Sequence, residues 1–91
     1  MGSNLVAKLD ALLTSYYYLN ACFDYGDPKM CNASIEWLDH AYAMGAIPYD
    51  LYIAIKQLII AVRESCDEKI LFTTNREFIR AIMVVCGVTK T

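Results

Sequence analysis

The sequence predicts an all-α protein, a compact single-domain bundle of about four antiparallel helices that takes up residues 1–91. Apolar residues recur at spacings of three and four, which is the period of a helix packed on one side, rather than at every second residue as in a strand. The Asn-Gly and Asp-Gly dipeptides that mark tight hairpins do not occur. A chain of this length also suffices for one hydrophobic core but not for two.

The first predicted helix, residues 4–23, carries the clearest pattern in the chain. Its apolar positions are separated by 4, 3, 4, 3 and 4 residues: Leu5, Leu9, Leu12, Tyr16, Leu19 and Phe23. This spacing keeps one stripe of a helix turned toward its neighbours for about five turns. Asn20 falls within the apolar arc, so we expect its amide either to find a hydrogen-bond partner or to lie near the open end of the bundle.

Turn residues delimit the second predicted helix, residues 28–45. Gly26 gives the preceding turn its conformational freedom, Asp27 can cap a helix, and Pro28 suits a first helical position. Gly45 fits a left-handed stop at the other end, with Pro48 three residues beyond it.

The third helix is predicted over residues 48–67, with a core stripe of Leu51, Ile55, Leu58, Ile59, Val62 and Cys66. Because the same register would bring Lys69 into that stripe, we expect the helix to stop or bend around residues 67–69. Thr74 and Glu77 have the spacing of a capping box. They predict a fourth helix over residues 75–86, which Gly87 ends.

Composition limits the classes of partner. The formal net charge is -2 and the basic residues are scattered, which argues against direct nucleic-acid binding. Lys56 and Gln57 interrupt the longest apolar stretch, so no segment reaches the roughly 18 residues of a membrane span. A hydrophobic content of 57% is high for so short a chain and predicts apolar surface left for a partner. The N-terminus lacks the pattern of a signal peptide, so we expect a cytoplasmic protein.

The four cysteines show neither the paired spacing of zinc sites nor the density of a disulfide scaffold. We therefore expect Cys22, Cys31, Cys66 and Cys86 to be free thiols, mostly in the core. One alternative stays open, since Cys22 and Cys31 flank the first turn, where their Cα atoms can approach within the roughly 4.4–6.8 Å of a disulfide. The sequon that begins at Asn32 matters only in a secreted protein.

Residues suited to catalysis or metal binding are few. Glu36, Asp39 and His40 share a helical face at a spacing that allows two ligands to hold one metal. Their face is predicted to be solvated, and a metal site would need a second copy of the chain, because His40 is the only histidine. Nothing in the sequence brings this single imidazole close to a Cys or Ser that it could activate as a nucleophile. We therefore expect no enzymatic activity and no cofactor.

The pattern favours a non-catalytic protein-interaction module that self-associates or docks on another protein, such as an inhibitor or accessory factor. Ile53 and Ile60 lie seven residues apart on the otherwise polar face of the third helix, and tyrosines suit contact surfaces. The predicted interface comprises Tyr18, Tyr49, Ile53, Lys56, Ile60 and Arg63. The alternative is a bundle that sequesters or senses a small ligand in a pocket inside the bundle or at a dimer seam, lined by tyrosines and closed by arginines.

Overall fold

The computed structural model describes residues 2–87, with side chains from residue 4 onward. Four helices follow one another: α1 spans Gly2–Tyr25, α2 Pro28–Ala43, α3 Tyr49–Ser65 and α4 Glu68–Val85. Connections of two to five residues make successive helices antiparallel neighbours, and α1 also packs on α4. The predicted all-α bundle of four helices is confirmed. The C-terminal tail expected after Gly87 lies outside the described residues.

The limits of α2 follow from the turn residues that predicted them. Asp27 lies just before the helix, and its Oδ1 accepts a hydrogen bond of 3.0 Å from the backbone N–H of Lys29. Pro28 takes the first helical position, where its missing N–H costs nothing. After the helix, Gly45 adopts the left-handed conformation at φ 78°. The helix itself ends at Ala43, two residues before the predicted end.

The fourth helix begins well before the predicted residue 75. Asp67 caps α4 by accepting a 2.8 Å hydrogen bond from the N–H of Lys69. Thr74 is fully buried inside the helix, and its hydroxyl donates to the carbonyl of Ile70, so the predicted capping box is wrong. The preceding helix α3 ends at Ser65, close to the predicted stop, and Cys66 follows in the left-handed conformation at φ 52°. Cys66 is exposed rather than part of the core stripe.

Small residues join α1 to α2, the most extensive helix pair in the bundle. Ser15 and Ser34 are both fully buried, and each hydroxyl donates a 2.7 Å hydrogen bond to the carbonyl of the other residue. The two buried hydroxyls therefore both have hydrogen-bond partners, so neither polar group is left unsatisfied in the helix contact. Since the hydroxyl of Ser34 is buried in this contact, the residue has a structural role apart from its place in the sequon.

Cys22 and Cys31 form a disulfide at the end of the same seam, with their Cα atoms 5.3 Å apart. The expectation of four free thiols is therefore wrong, and the alternative that these two cysteines pair is the one adopted. Both are buried, whereas Cys66 and Cys86 are free and exposed. The separation of the Cα atoms of Cys22 and Cys31 lies within the range that disulfide geometry requires.

The buried side of α1 is rotated about the helix axis relative to the predicted apolar stripe. Leu12 and Leu19 are fully buried as expected, but Tyr16 and Phe23 are only partly buried and Leu5 is 41% exposed. Facing them, the other helices contribute the fully buried Leu38, Ile55, Ile59, Val62 and Phe78. The shift follows from the α1–α2 seam, because small residues such as Ser15 can approach a neighbouring helix more closely than Tyr16 can.

A polar contact joins α1 to α4 across the bundle. The side-chain amides of Asn20 and Asn75 each donate to the other, at 3.0 and 3.1 Å, which confirms that Asn20 finds a partner. One turn away, the rings of Tyr16 and Phe78 meet edge to face at 5.7 Å. Among the described residues, no helix combines the length and the apolar character that crossing a membrane requires.

Truncation of Leu12 tests whether the shifted core holds the fold. Leu12 is fully buried, so Leu12→Ala is expected to lower the free energy of unfolding by about 2–5 kcal/mol, measured by urea denaturation. Leu5→Ala, on the same helix at a position 41% exposed, is the control and should cost less than about 1 kcal/mol. Equal losses in the two variants would contradict this placement of the core.

Thiol titration tests the disulfide. Under denaturing, non-reducing conditions, two thiols per chain should react, those of Cys66 and Cys86. Reduction of the bond between Cys22 and Cys31, nine residues apart, should lower the free energy of unfolding by about 2–3 kcal/mol through loop entropy. Four reactive thiols before reduction would overturn the pairing.

Candidate interaction surface

The interface predicted on α3 is largely turned toward α2. Arg63 donates a 2.7 Å hydrogen bond to Asn32, and Lys56 donates to Asp39, both of α2. Ile53 is partly buried and packs against the core, although it was expected to lie outside the core stripe. Ile60 is also partly buried. The six predicted residues therefore do not form one free stripe, although association through α3 stays a prediction.

The aromatic members of that prediction lie at two separate places. Tyr49 is 59% exposed, and its ring lies 5.9 Å from Tyr42 at the α2–α3 end of the bundle. Tyr42 in turn stacks on Tyr52 at 4.3 Å. Tyr18 is half-buried on α1 and meets Tyr17 edge to face. The structure does not bring Tyr18 together with the residues of α3.

A polar cluster of Asp39, Tyr52 and Lys56 links α2 to α3. The Tyr52 hydroxyl donates to Asp39 Oδ1 at 2.5 Å, and Lys56 Nζ donates to the same oxygen at 3.3 Å and to the hydroxyl at 3.1 Å. The hydrogen bond to Asp39 is the main cause that raises the pKa of Tyr52 above its ordinary value of 10.0. The hydrogen bond to Tyr52 is the main cause that raises the pKa of Lys56 above 10.5.

The predicted solvent face of α2 is only partly solvated. Glu36 and His40 are exposed, but Asp39 points to the neighbouring helix, where it accepts the bonds just described. His40 meets Trp37 edge to face at 5.7 Å. In the part of the chain that the structure describes, no three His, Cys, Asp or Glu side chains gather as metal ligands would.

A group of exposed apolar side chains lies on α1 and α4. We call it the α1/α4 face. Its six side chains are 38% to 68% exposed: Val6, Leu13, Tyr17, Phe72, Ile79 and Met83. At 100° per residue, Leu13 and Tyr17 lie beside Asn20 on α1, and Phe72 and Ile79 lie beside Asn75 on α4. Because the two asparagines bond to each other, the two rows lie side by side on the outside of the bundle.

Charges of opposite sign border the two sides of this face. The exposed carboxylates of Asp10 and Asp24 lie along the α1 side, whereas the exposed Lys69 and Arg76 lie along the α4 side. Arg80 follows on α4 and pairs with Glu77 at 3.4 Å. Glu68, in the first turn of α4, is an acidic residue at the end of the basic side. The α1 border is thus acidic, and the α4 border is mainly basic.

Two surface grooves bear on the ligand alternative. One, of about 370 Å³, is lined by Asn4, Leu5, Lys8, Ala46, Val84 and Val85. The other, of about 360 Å³, is lined by Pro48, Asp50, Leu51, Ala54, Glu77 and Arg80. Both are open to solvent and neither has a tyrosine in its lining. They differ from the predicted pocket, which is lined by tyrosines and lies either inside the bundle or at a dimer seam.

Fold and surface together define the class of protein as a small all-α bundle with an exposed apolar face. No known protein family, curated protein or solved structure matches the chain.

The α1/α4 face was not predicted from the sequence, for two reasons. On α1, Val6, Leu13 and Tyr17 directly follow members of the predicted stripe, so hydrophobicity alone does not distinguish them from the core. On α4, the predicted start at residue 75 left Phe72 outside the helix. The spacing of Phe72, Ile79 and Met83, seven and then four residues, is the signal that a longer helix would have made visible.

The cluster of Asp39, Tyr52 and Lys56 predicts a loss of stability in alkali. Both raised pKa values mean that the folded chain holds protons more tightly than the unfolded chain, so stability is kept below about pH 10 and falls as the pH rises through them. Tyr52→Phe removes one titrating group and the main cause of the Lys56 shift. The decline in unfolding free energy above pH 10 should therefore be shallower in this variant.

The control for this experiment is Tyr25→Phe, which removes a phenol that is 77% exposed and outside the cluster. Its alkaline decline, followed by urea denaturation at a series of pH values, should match that of the unmodified chain. Parallel declines for the unmodified chain and Tyr52→Phe would show that the cluster does not contribute.

Proposed function

We propose that this chain is a non-catalytic protein-interaction module that docks on a protein through the α1/α4 face. The observation that carries the proposal is the gathering of six exposed apolar side chains on adjoining sides of two helices. Contiguous apolar patches beyond a few hundred Å² are uncommon on monomeric proteins and are typical of sites that bind another protein. This surface replaces the α3 stripe as the preferred docking site.

The composition of the face supports a protein partner. Tyr17 and Phe72 are the most exposed of its members, at 68% and 65%, and aromatic side chains are enriched where proteins bind one another. Two aromatic rings within an aliphatic surface, bordered by charges, provide the apolar centre and polar rim of such a site. An inhibitor or accessory factor is the kind of role that a surface of this type serves.

The cytoplasmic location predicted from the sequence stays a prediction. The disulfide between Cys22 and Cys31 argues for a different environment, because such bonds persist mainly in oxidising compartments. The redox state of this pair in cells, trapped by acid and an alkylating reagent, distinguishes the two. An oxidised pair in freshly trapped cells would argue against the cytoplasm.

Site-specific photocrosslinking tests the docking surface. Phe72 is replaced by p-benzoylphenylalanine in the full chain, which is expressed in the cells that encode it and irradiated. We expect a covalent protein adduct, detected by its mass, because the side chain at position 72 lies within the proposed contact. Adding Ile79→Lys to the same chain should remove the adduct, since a charge in the centre of the face must be desolvated on binding.

The matched control carries the same photoreactive residue at position 25. Tyr25 is 77% exposed but lies at the end of α1, off the face, so it should give little adduct. Absence of an adduct at position 72, or equal yields at positions 72 and 25, would overturn the proposal.

A further inference from the structure

We propose that the occupant of the α1/α4 face is a second copy of this chain, in a two-fold dimer in which α1 of each copy lies along α4 of the other. The inference rests on the proposed function, because it names the partner of the same surface. It is drawn from the size of the face and from the opposite charges at its borders.

The size of the face is adequate for a dimer. Its six side chains together expose on the order of 600 Å² of mainly apolar surface per chain. A standard stable interface buries about 800 Å² per partner, part of it polar rim. The apolar residues and their charged borders therefore provide about the area that a two-fold dimer of this small chain requires.

The charges select the orientation of the two copies. A two-fold axis across the helices would set α1 on α1 and α4 on α4, which places the acidic border with Asp10 and Asp24 against the same border of the other copy. A two-fold axis parallel to the helices sets α1 on the partner's α4 instead. The acidic border with Asp24 then faces the basic border with Lys69 and Arg76, all of them exposed in the single chain. Opposite charges across an interface favour this arrangement, and like charges oppose the other.

The same arrangement makes a second four-helix bundle at the interface. Because α1 and α4 of one chain are antiparallel, each also runs antiparallel to the helix of the partner that it meets. Asn20 and Asn75, half-buried and joined by two hydrogen bonds within the chain, lie between the two rows of apolar side chains.

A charge-exchange experiment tests both the partner and the orientation. One variant, Asp10→Lys with Asp24→Lys, makes the α1 border basic; the other, Lys69→Glu with Arg76→Glu, makes the α4 border acidic. All four positions are exposed, so both variants should keep the helical spectrum and the thermal stability of the unmodified chain. Association is measured by sedimentation equilibrium at low salt.

The unmodified chain is expected to be a dimer. Each variant alone should dimerise at least about tenfold more weakly, because its α1 and α4 borders now carry the same charge. An equimolar mixture of the two variants should recover dimerisation, since each basic border can then meet an acidic one. Dimerisation of each variant as strong as that of the unmodified chain, or no recovery in the mixture, would overturn the proposal.

Two further variants test whether the dimer contact lies on the α1/α4 face or on another surface of the folded chain. Ile79→Lys, in the centre of the face, should yield a folded monomer. Tyr49→Lys, at a comparably exposed tyrosine of α3, should leave the dimer intact. Loss of the dimer in Tyr49→Lys but not in Ile79→Lys would place the contact on α3 and overturn the proposal.

The combined results separate this inference from the proposed function. An unmodified chain that stays monomeric, together with a heterologous adduct at position 72, overturns the second copy as occupant and leaves the docking function standing. A monomeric chain with no adduct at that position overturns both. An adduct of twice the chain mass, lost with Ile79→Lys, supports both.

Discussion

The close contact of α1 with α2 is the constraint on which the rest of the bundle depends. Ser15 and Ser34 exchange hydrogen bonds with each other's backbone. The disulfide between Cys22 and Cys31 links the same two helices closer to the turn that joins them. Side chains this small let two helices approach closely, and the approach fixes the rotation of α1 about its axis. Leu12 and Leu19 are thereby turned inward, and Leu13 and Tyr17 outward.

The outward rotation explains why a surplus of apolar residues becomes surface rather than core. The apolar arc of α1 is wider than the part that three neighbouring helices can cover, so its remainder must face either solvent or another molecule. On α4 the same situation arises at Phe72 and Ile79, which flank the inward-facing Asn75. A small bundle with two such helices side by side acquires a single broad apolar face.

The sequence predicted what depends on local pattern and missed what depends on close packing. The helical period gave the fold class, and Asp27 with Pro28 gave the start of α2 correctly. Hydrophobicity alone did not predict which side of α1 is buried. The fully buried Ser15 is a polar residue, and its burial depends on hydrogen bonds to Ser34 of another helix. The disulfide stayed an open alternative in the sequence, since the position of Cys22 and Cys31 on either side of a turn allows the bond without requiring it. The bonds that Lys56 and Arg63 make to Asp39 and Asn32 of α2 were not predictable either, because they depend on how α2 is placed beside α3.

The α1/α4 face is assembled from the two ends of the chain. Ser15 and Ser34 are 19 residues apart in sequence, but Asn20 and Asn75 are separated by 55. Closing the longer loop costs more chain entropy, and the face does not exist until that closure is made. Local unfolding that releases α4 removes the binding surface with it. Any partner that binds there consequently favours the completed bundle by mass action, so occupancy and resistance to unfolding rise together.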